Sequence, residues 1–137
     1  MTKLIDELKQ EHAVLMDILD EVYRLGIASK EAQSKLGAAK AGLLRHLRRE
    51  DEHLYPALKT ACAGNPEVSD TVRRFIADMG VVSREALVFF DKYSAGGAGG
   101  AALEFARDFG RFSVTLKSRI QREETTLYRI YEKAASA

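Results

Sequence analysis

Cysteine and proline are scarce in this sequence, and tryptophan is absent. Its 137 residues include a single cysteine, Cys62, and two prolines. One cysteine excludes an internal disulfide framework. No run approaches the roughly 18 apolar residues that a membrane-spanning helix needs. The first residues form an acidic, amphipathic segment, which is unlike a signal peptide. Together these absences predict a cytoplasmic protein.

An excess of charge of either sign is also missing. The chain has 21 Lys and Arg against 20 Asp and Glu, a net charge of +1. A dedicated nucleic-acid binder or a polybasic membrane-surface protein would carry a basic excess, so neither nucleic acid nor a membrane is expected as a partner. The hydrophobic fraction of 46% is typical of a globular chain. The length fits one domain, residues 1–137.

Helix-breaking residues cluster at three places and divide the chain into four segments. The breaks fall at Gly26, at residues 63–66 and in the glycine-rich stretch 94–100. Within each segment apolar residues recur at steps of three and four, which predicts amphipathic helices. The expected bounds are about 2–25, 29–62, 66–93 and 101–135. Four long helices with short connections predict an all-α, antiparallel, up-down-up-down four-helix bundle.

Each apolar stripe contains polar residues at positions where a core residue is expected. They are His12, His46 with Glu50, Glu85, and Arg119 with Glu123. Burial of such groups without partners costs several kcal/mol. The pattern therefore requires an interaction that compensates for the burial.

The polar positions repeat along the chain. At an offset of 73 residues the aligned pairs are His46 with Arg119, Glu50 with Glu123, Tyr55 with Tyr128, and His12 with Glu85. A shared spacing of this kind indicates two copies of one helical hairpin. The copies would face each other across a pseudo-twofold axis, and their polar residues would meet at one level of the core.

The residue types at that level suit a metal ion. His46 and Glu50 are four residues apart, so they share one face of a helix and can both point at one ion. Imidazole and carboxylate suit iron, manganese or zinc, and carboxylates on facing helices build di-metal sites in bundles. A bound cation would neutralise the buried glutamates.

The motifs resemble those of the hemerythrin-like, or HHE cation-binding, family. They are Gln-Glu-His at 10–12, the segment 46–51 that continues to Leu-Tyr-Pro at 54–56, and Glu-Glu at 123–124 that continues to Leu-Tyr at 127–128. The resemblance covers nearly the whole chain. It implies a four-helix bundle that holds two irons and that binds or senses oxygen, nitric oxide or iron, or acts in iron-centre repair. The metal ligands that it implies are His12, His46, Glu50 and Glu123.

The chain departs from the family pattern at two positions, where histidine is expected. Glu85 still offers a carboxylate, so we expect it among the metal ligands. Arg119 stays protonated and has no lone pair, so it cannot bind a metal. It can instead supply positive charge to buried carboxylates and bind one of them bidentately.

Three further residues lie near the expected site. His53 is three residues after Glu50, so it either replaces a missing ligand or flanks the core and bonds a neighbour. Tyr55 and Tyr128 are repeat-related aromatics that either pack or donate a phenol proton to a ligand.

Two classes of function follow. In the first, a non-catalytic protein holds one or two iron-type ions, or another divalent metal, to bind or sense oxygen, nitric oxide or iron. In the second, a metal-free bundle is regulatory or binds a protein, and Arg119 pairs with Glu85, Glu123 or Glu50. Partners would be the metal ion, dioxygen or nitric oxide, a second copy of the chain or a regulatory protein. Weak oxygen or peroxide chemistry would make an enzyme a third class, but no residue indicates a substrate.

Overall fold

The chain forms an all-helical structure. A computed structural model describes residues 3–26, 29–94 and 102–135 and contains no strand in these ranges. The expected helix starts near residues 2 and 101, and most of the glycine-rich stretch, lie outside the described residues. None of the helices in the described ranges has the length and apolar character needed to cross a membrane.

Six helical elements build the bundle. They are α1 (Lys3–Leu25), α2 (Lys30–Arg49), α3 (Tyr55–Ala61), α4 (Pro66–Ser94), α5 (Ala102–Arg122) and α6 (Tyr128–Ala135). One π turn, Glu50–Leu54, joins α2 to α3, and a second, Glu123–Leu127, joins α5 to α6. We call these continuous helices α2/α3 and α5/α6. With α1 and α4 they form the antiparallel four-helix bundle predicted from the sequence, and that prediction is confirmed.

The helix ends follow from local sequence. The Ser29 hydroxyl accepts a hydrogen bond from the Ala32 N–H at 3.1 Å, which caps the start of α2. Pro66 begins α4, where a missing N–H costs nothing, and the Asn65 side chain before it accepts a hydrogen bond from the Val68 N–H at 3.3 Å. Gly26 follows α1 with a φ of +83°, a left-handed conformation that favours glycine.

The core consists of two apolar clusters with a polar layer between them. The large cluster contains the aromatic residues Phe89, Phe90, Tyr93, Phe105, Phe109 and Phe112, with aliphatic side chains from all four helices. The small cluster includes Ile5, Leu8, Leu54, Leu58, Val72, Phe75, Leu127 and Tyr128. Along α1, α2/α3 and α5/α6 the buried residues His12, His46, Glu50 and Glu123 fall between the two sets, whereas the buried Ser113 lies in α5 between Phe112 and Leu116 of the large cluster. The bundle therefore places its polar layer in the interior.

Candidate metal centre

Four side chains from three helices meet in the polar layer. They are His12 on α1, His46 and Glu50 on α2/α3, and Glu123 on α5/α6. All four are buried, and one ligand atom from each lies within 4.8 Å of the others. The four occupy core-facing positions of their helices, so helix packing itself brings them together.

The spacing of the ligand atoms is short enough for a single ion. The two Nε2 atoms of His12 and His46 are 3.0 Å apart. His12 Nε2 lies 3.1 Å from Glu123 Oε1, and His46 Nε2 lies 3.4 Å from Glu50 Oε2. Neighbouring ligands bonded to one ion at about 2.1 Å are separated by about 3.0–3.4 Å. The observed distances match this range.

The outer nitrogen of each imidazole contacts a carboxylate. His46 Nδ1 lies 2.7 Å from Glu11 Oε1, and His12 Nδ1 lies 2.7 Å from Glu124 Oε2. An ionised carboxylate only accepts hydrogen bonds, so each Nδ1 is the protonated donor. In the neutral rings the Nε2 lone pairs would then face each other. A proton or a metal cation between them removes this repulsion.

The pKa values of the three titratable groups in the cluster are shifted in different directions: those of Glu123 and His46 are raised, and that of Glu50 is lowered. Burial, reinforced by the charge of Glu50, raises the pKa of Glu123 well above its ordinary value. Burial also acts to raise the pKa of Glu50, but the hydrogen bond and charge of His46 outweigh it and lower that pKa. Burial acts to lower the pKa of His46, and Glu50 outweighs it and raises that pKa. Both raised pKa values favour the protonated forms of His46 and Glu123 relative to exposed side chains.

The two π turns place a tyrosine over each glutamate. In each turn the N–H of the tyrosine donates to the carbonyl of the glutamate five residues earlier. The Tyr128 hydroxyl lies 2.8 Å from Glu50 Oε2 and 3.0 Å from Glu123 Oε1, so it bridges the two carboxyl groups. The Tyr55 hydroxyl donates to Glu50 Oε1 at 3.4 Å. Burial and the neighbouring carboxylates raise the pKa of both phenols.

One carboxylate oxygen of the cluster lacks a hydrogen-bond partner. Glu123 Oε2 is buried and has no hydrogen-bond partner among the described residues. A buried acceptor without a partner costs about 1–3 kcal/mol. A cation in the cluster would satisfy this oxygen, so the donor set fits a bound metal ion.

Glu85 does not join the cluster, and its predicted place in the core was wrong. It is exposed, and its neighbour Ala86 is fully buried. The buried positions of α1 map onto those of α4 at an offset of 74 residues, whereas α2/α3 maps onto α5/α6 at 73. The residue equivalent to His12 is therefore Ala86, which has no ligand atom.

Arg119 lies near the core but does not neutralise the buried glutamates. Its side chain is 12% exposed, and Nη2 lies 3.3 Å from Asp78 Oδ2. The guanidinium also lies over the Phe75 ring, 5.7 Å from the centroid. The described contacts include no ion pair from Arg119 to Glu50, Glu85 or Glu123, so the predicted counter-charge role was wrong.

His53 also lies outside the cluster. Its side chain is 60% exposed, and its nearest charged partner is Glu52, at 3.9 Å. Of the two roles considered for His53, the replacement ligand does not fit this position, whereas the flanking position with a neighbouring contact does. Tyr55 and Tyr128, in contrast, both contact ligand carboxylates.

Sequence reasoning assigned no role to Glu11, Glu124 or Arg49. Glu11 precedes His12 in the chain but contacts His46, and Glu124 follows Glu123 but contacts His12. Adjacency in sequence therefore points to the wrong partner, because both contacts cross between helices. The sequence did contain a sign of these contacts: in two separate motifs a glutamate stands directly beside a candidate metal ligand.

The fold and the cluster together define a class, the four-helix bundles with a cation site of histidine and carboxylate ligands in the core. The family model described as the hemerythrin HHE cation binding domain matches residues 3–131. The chain belongs to the hemerythrin HHE cation-binding domain family. Searches of curated proteins and of solved structures found no significant match.

Proposed function

We propose that this protein is a non-catalytic metal-binding bundle that holds one iron-type ion. The ligands are His12, His46, Glu50 and Glu123. The observation that carries the proposal is the convergence of their four ligand atoms within 4.8 Å in a buried layer. Two imidazoles and two carboxylates form a mixed nitrogen and oxygen set that suits iron, with manganese and zinc as chemical competitors.

The second hairpin supplies too few ligand atoms for a second ion, which favours one ion over two. Ala86 and Arg119 stand at the positions equivalent to His12 and His46, and neither supplies a ligand atom. Only Glu123 remains from that half of the repeat. The four ligand atoms form one compact group, with no second group of three or more such residues among the described ones.

The ion gives the bundle its chemistry. An iron-type ion accepts more than four ligands, so a bound ion would offer free positions to dioxygen or nitric oxide. The chain's own residues bury the site, orient both imidazoles and hold Glu50 and Glu123 through Tyr128. We therefore propose binding or sensing of a small molecule, or of iron itself, as the role of the site.

Metal analysis tests the proposal. Protein expressed with added iron and purified without oxygen should contain about one equivalent of metal per chain, and His46→Ala should lose most of it. His53→Ala is the matched control, because it removes an exposed histidine seven residues away and should keep the wild-type content. A visible spectral change on addition of oxygen or nitric oxide would support sensing.

The alternative, a metal-free regulatory bundle, has a distinct outcome. A metal content below about 0.2 equivalents, with a melting temperature that chelator does not change, would contradict metal binding. Metal bound without any spectral response to oxygen or nitric oxide would contradict sensing and leave iron binding itself as the function.

A further inference from the structure

The carboxylates behind the two histidines form a supporting layer. We propose that Glu11 and Glu124 are positioning residues, each of which orients a metal-binding imidazole on a different helix, and that Arg49 fixes Glu11. The inference deepens the proposed function and rests on it for the identity of the metal ligands.

The two contacts are equivalent in geometry but link different helices. Glu11 on α1 accepts from His46 Nδ1 on α2/α3 at 2.7 Å. Glu124 on α5/α6 accepts from His12 Nδ1 on α1 at 2.7 Å. These are the short distances of hydrogen bonds to a charged acceptor. Through them, α1 is connected to both of its neighbours at the level of the cluster.

The burial of these groups suits a supporting role. The histidine side chains are each 5% exposed, while Glu11 and Glu124 are 28% and 30% exposed. Each carboxylate thus keeps contact with solvent while its hydrogen bond reaches into the core. The imidazole N–H is satisfied without the desolvation cost of a fully buried charge.

The hydrogen bonds fix which nitrogen faces the cluster. With Nδ1 protonated and bonded outward, Nε2 presents its lone pair inward, and rotation of the ring would break the bond. A carboxylate on the outer nitrogen also makes the imidazole a stronger donor to a metal. Glu11 and Glu124 therefore prepare the ligand atoms before an ion arrives.

Arg49 holds Glu11 from the opposite side. Its guanidinium donates to Glu11 Oε2, which leaves Oε1 for His46, and it also donates to Glu7 one turn earlier on α1. Arg49 directly precedes the ligand Glu50 in sequence. Substitution of Arg49 should leave the Glu11 side chain less fixed. Arg49 should therefore affect metal binding only when Glu11 is present.

The first test uses the metal-free protein and the ring nitrogens of its histidines. At a pH where the His46 ring is neutral, Glu11→Ala should change the ¹⁵N chemical shifts of His46 from one dominant tautomer to a mixture and leave the tautomer of His12 unchanged. Glu124→Ala should do the reverse. A purely structural role would disturb both rings together, so this crossed specificity is the expected sign of positioning.

The second test measures Fe²⁺ affinity by chelator competition without oxygen. Glu11→Ala and Glu124→Ala should each weaken binding about 10- to 100-fold. Glu11→Gln should weaken it less, because the amide oxygen still accepts from Nδ1–H but carries no charge. Glu52→Ala is the matched control: it removes an exposed glutamate from the π turn beside Glu50 and should leave affinity within about twofold.

The third test is a double-mutant cycle for Arg49. Arg49→Met should weaken Fe²⁺ binding in the wild type but have no further effect in Glu11→Ala, since Glu11 transmits its contribution. Independent, additive losses would overturn this part of the inference.

The positioning role fails if both alanine variants bind Fe²⁺ like the wild type, or if either one disturbs both histidine rings. If Glu11→Ala does not fold, Glu11→Gln supplies the affinity comparison, with a smaller expected loss, and Glu124→Ala supplies the tautomer comparison. A wild-type protein that binds no iron would instead contradict the proposed function. The tautomer measurement on the metal-free chain would then still decide whether Glu11 and Glu124 orient the rings.

Discussion

At the scale of residues, we expect a metal ion to displace protons from the candidate site. His46 and Glu123 both have a raised pKa in the folded chain, so each holds a proton more tightly than an exposed side chain would. Metal ligands must be deprotonated to bind, so an ion has to displace these protons. The pH therefore acts on the metal-free and the metal-loaded protein in opposite directions.

This competition predicts opposite pH dependences of stability. A raised folded pKa stabilises the protein at low pH, and the contribution is lost as pH rises through that pKa. The lowered pKa of Glu50 acts only below its ordinary value of 4.5. From about pH 5.5 to 8 the melting temperature should therefore fall in the metal-free protein and rise in the metal-loaded protein.

Thermal melts of the two forms across this range measure the effect. Glu123→Gln should flatten the slope of the metal-free protein, because the amide has no proton to lose. Parallel slopes in the presence and absence of metal would contradict the exchange of protons for metal.

The sequence predicted the meeting of His12, His46, Glu50 and Glu123 because polar residues interrupt otherwise regular apolar stripes. It misplaced Glu85, since one extra residue between the repeats shifts α4 by one position and puts Ala86 inward. Contacts such as those of Glu11 and Glu124 depend on side-chain direction across a helix interface. Their sequence neighbours do not determine that direction.

At the scale of elements, the two π turns are the unusual feature of the bundle. Each begins at a ligand glutamate and ends just before a tyrosine that contacts a ligand. A π turn contains one more residue than an α turn and is less favourable, so it is found mostly at functional sites. Adjacent buried residues accompany both turns, Leu54 with Tyr55 and Leu127 with Tyr128, but Phe89 and Phe90 are also both buried in the regular helix α4, so such a pair does not by itself predict a π turn.

Removal of the extra residue from the π turn after Glu50 should lower metal affinity without lowering the stability of the fold. Deletion of the exposed His53 should convert the turn after Glu50 into a regular α turn and keep the later core residues facing inward. We expect a melting temperature equal to or above that of the wild type, with metal affinity reduced at least about tenfold because Glu50 and Tyr55 are re-aimed.

Deletion of Arg45 is the control for the length of the helix. It also removes one exposed residue from the same helix, but it lies in regular α structure, so every later core position rotates by about 100°. That variant should be strongly destabilised. If deletion of His53 were equally destabilising, the π turn would be a requirement of the fold.

At the scale of the whole molecule, the bundle resembles a repeat in which the first hairpin carries most of the candidate ligands. The first hairpin contributes His12, His46 and Glu50, and the second keeps only Glu123. The helical periodicity made the fold predictable, because each stripe is long and every break carries turn residues. The offset between α1 and α4 is 74 residues, whereas that between α2/α3 and α5/α6 is 73. Only the burial of the side chains in the structure reveals this difference.

The pseudo-twofold relation predicts a second site that can be rebuilt. The double variant Ala86→His with Arg119→His should raise the metal content from about one to about two equivalents per chain, although the larger side chain at Ala86 should cost about 1–3 kcal/mol of stability. Metal analysis and thermal melts measure the two effects.

Arg119→His alone is the control. Without a ligand at residue 86 it should remain near one equivalent. A double variant that folds and still binds one ion would contradict the equivalence of Ala86 with His12.

The division of the core also determines how an ion can be exchanged. The large aromatic cluster packs one end of the bundle, while the polar layer and the small cluster occupy the other end. Transient opening of that second end exposes the ligands while the aromatic end stays packed. We therefore expect the residence time of a bound ion to depend on local opening of this end, so that the metal could be exchanged without global unfolding.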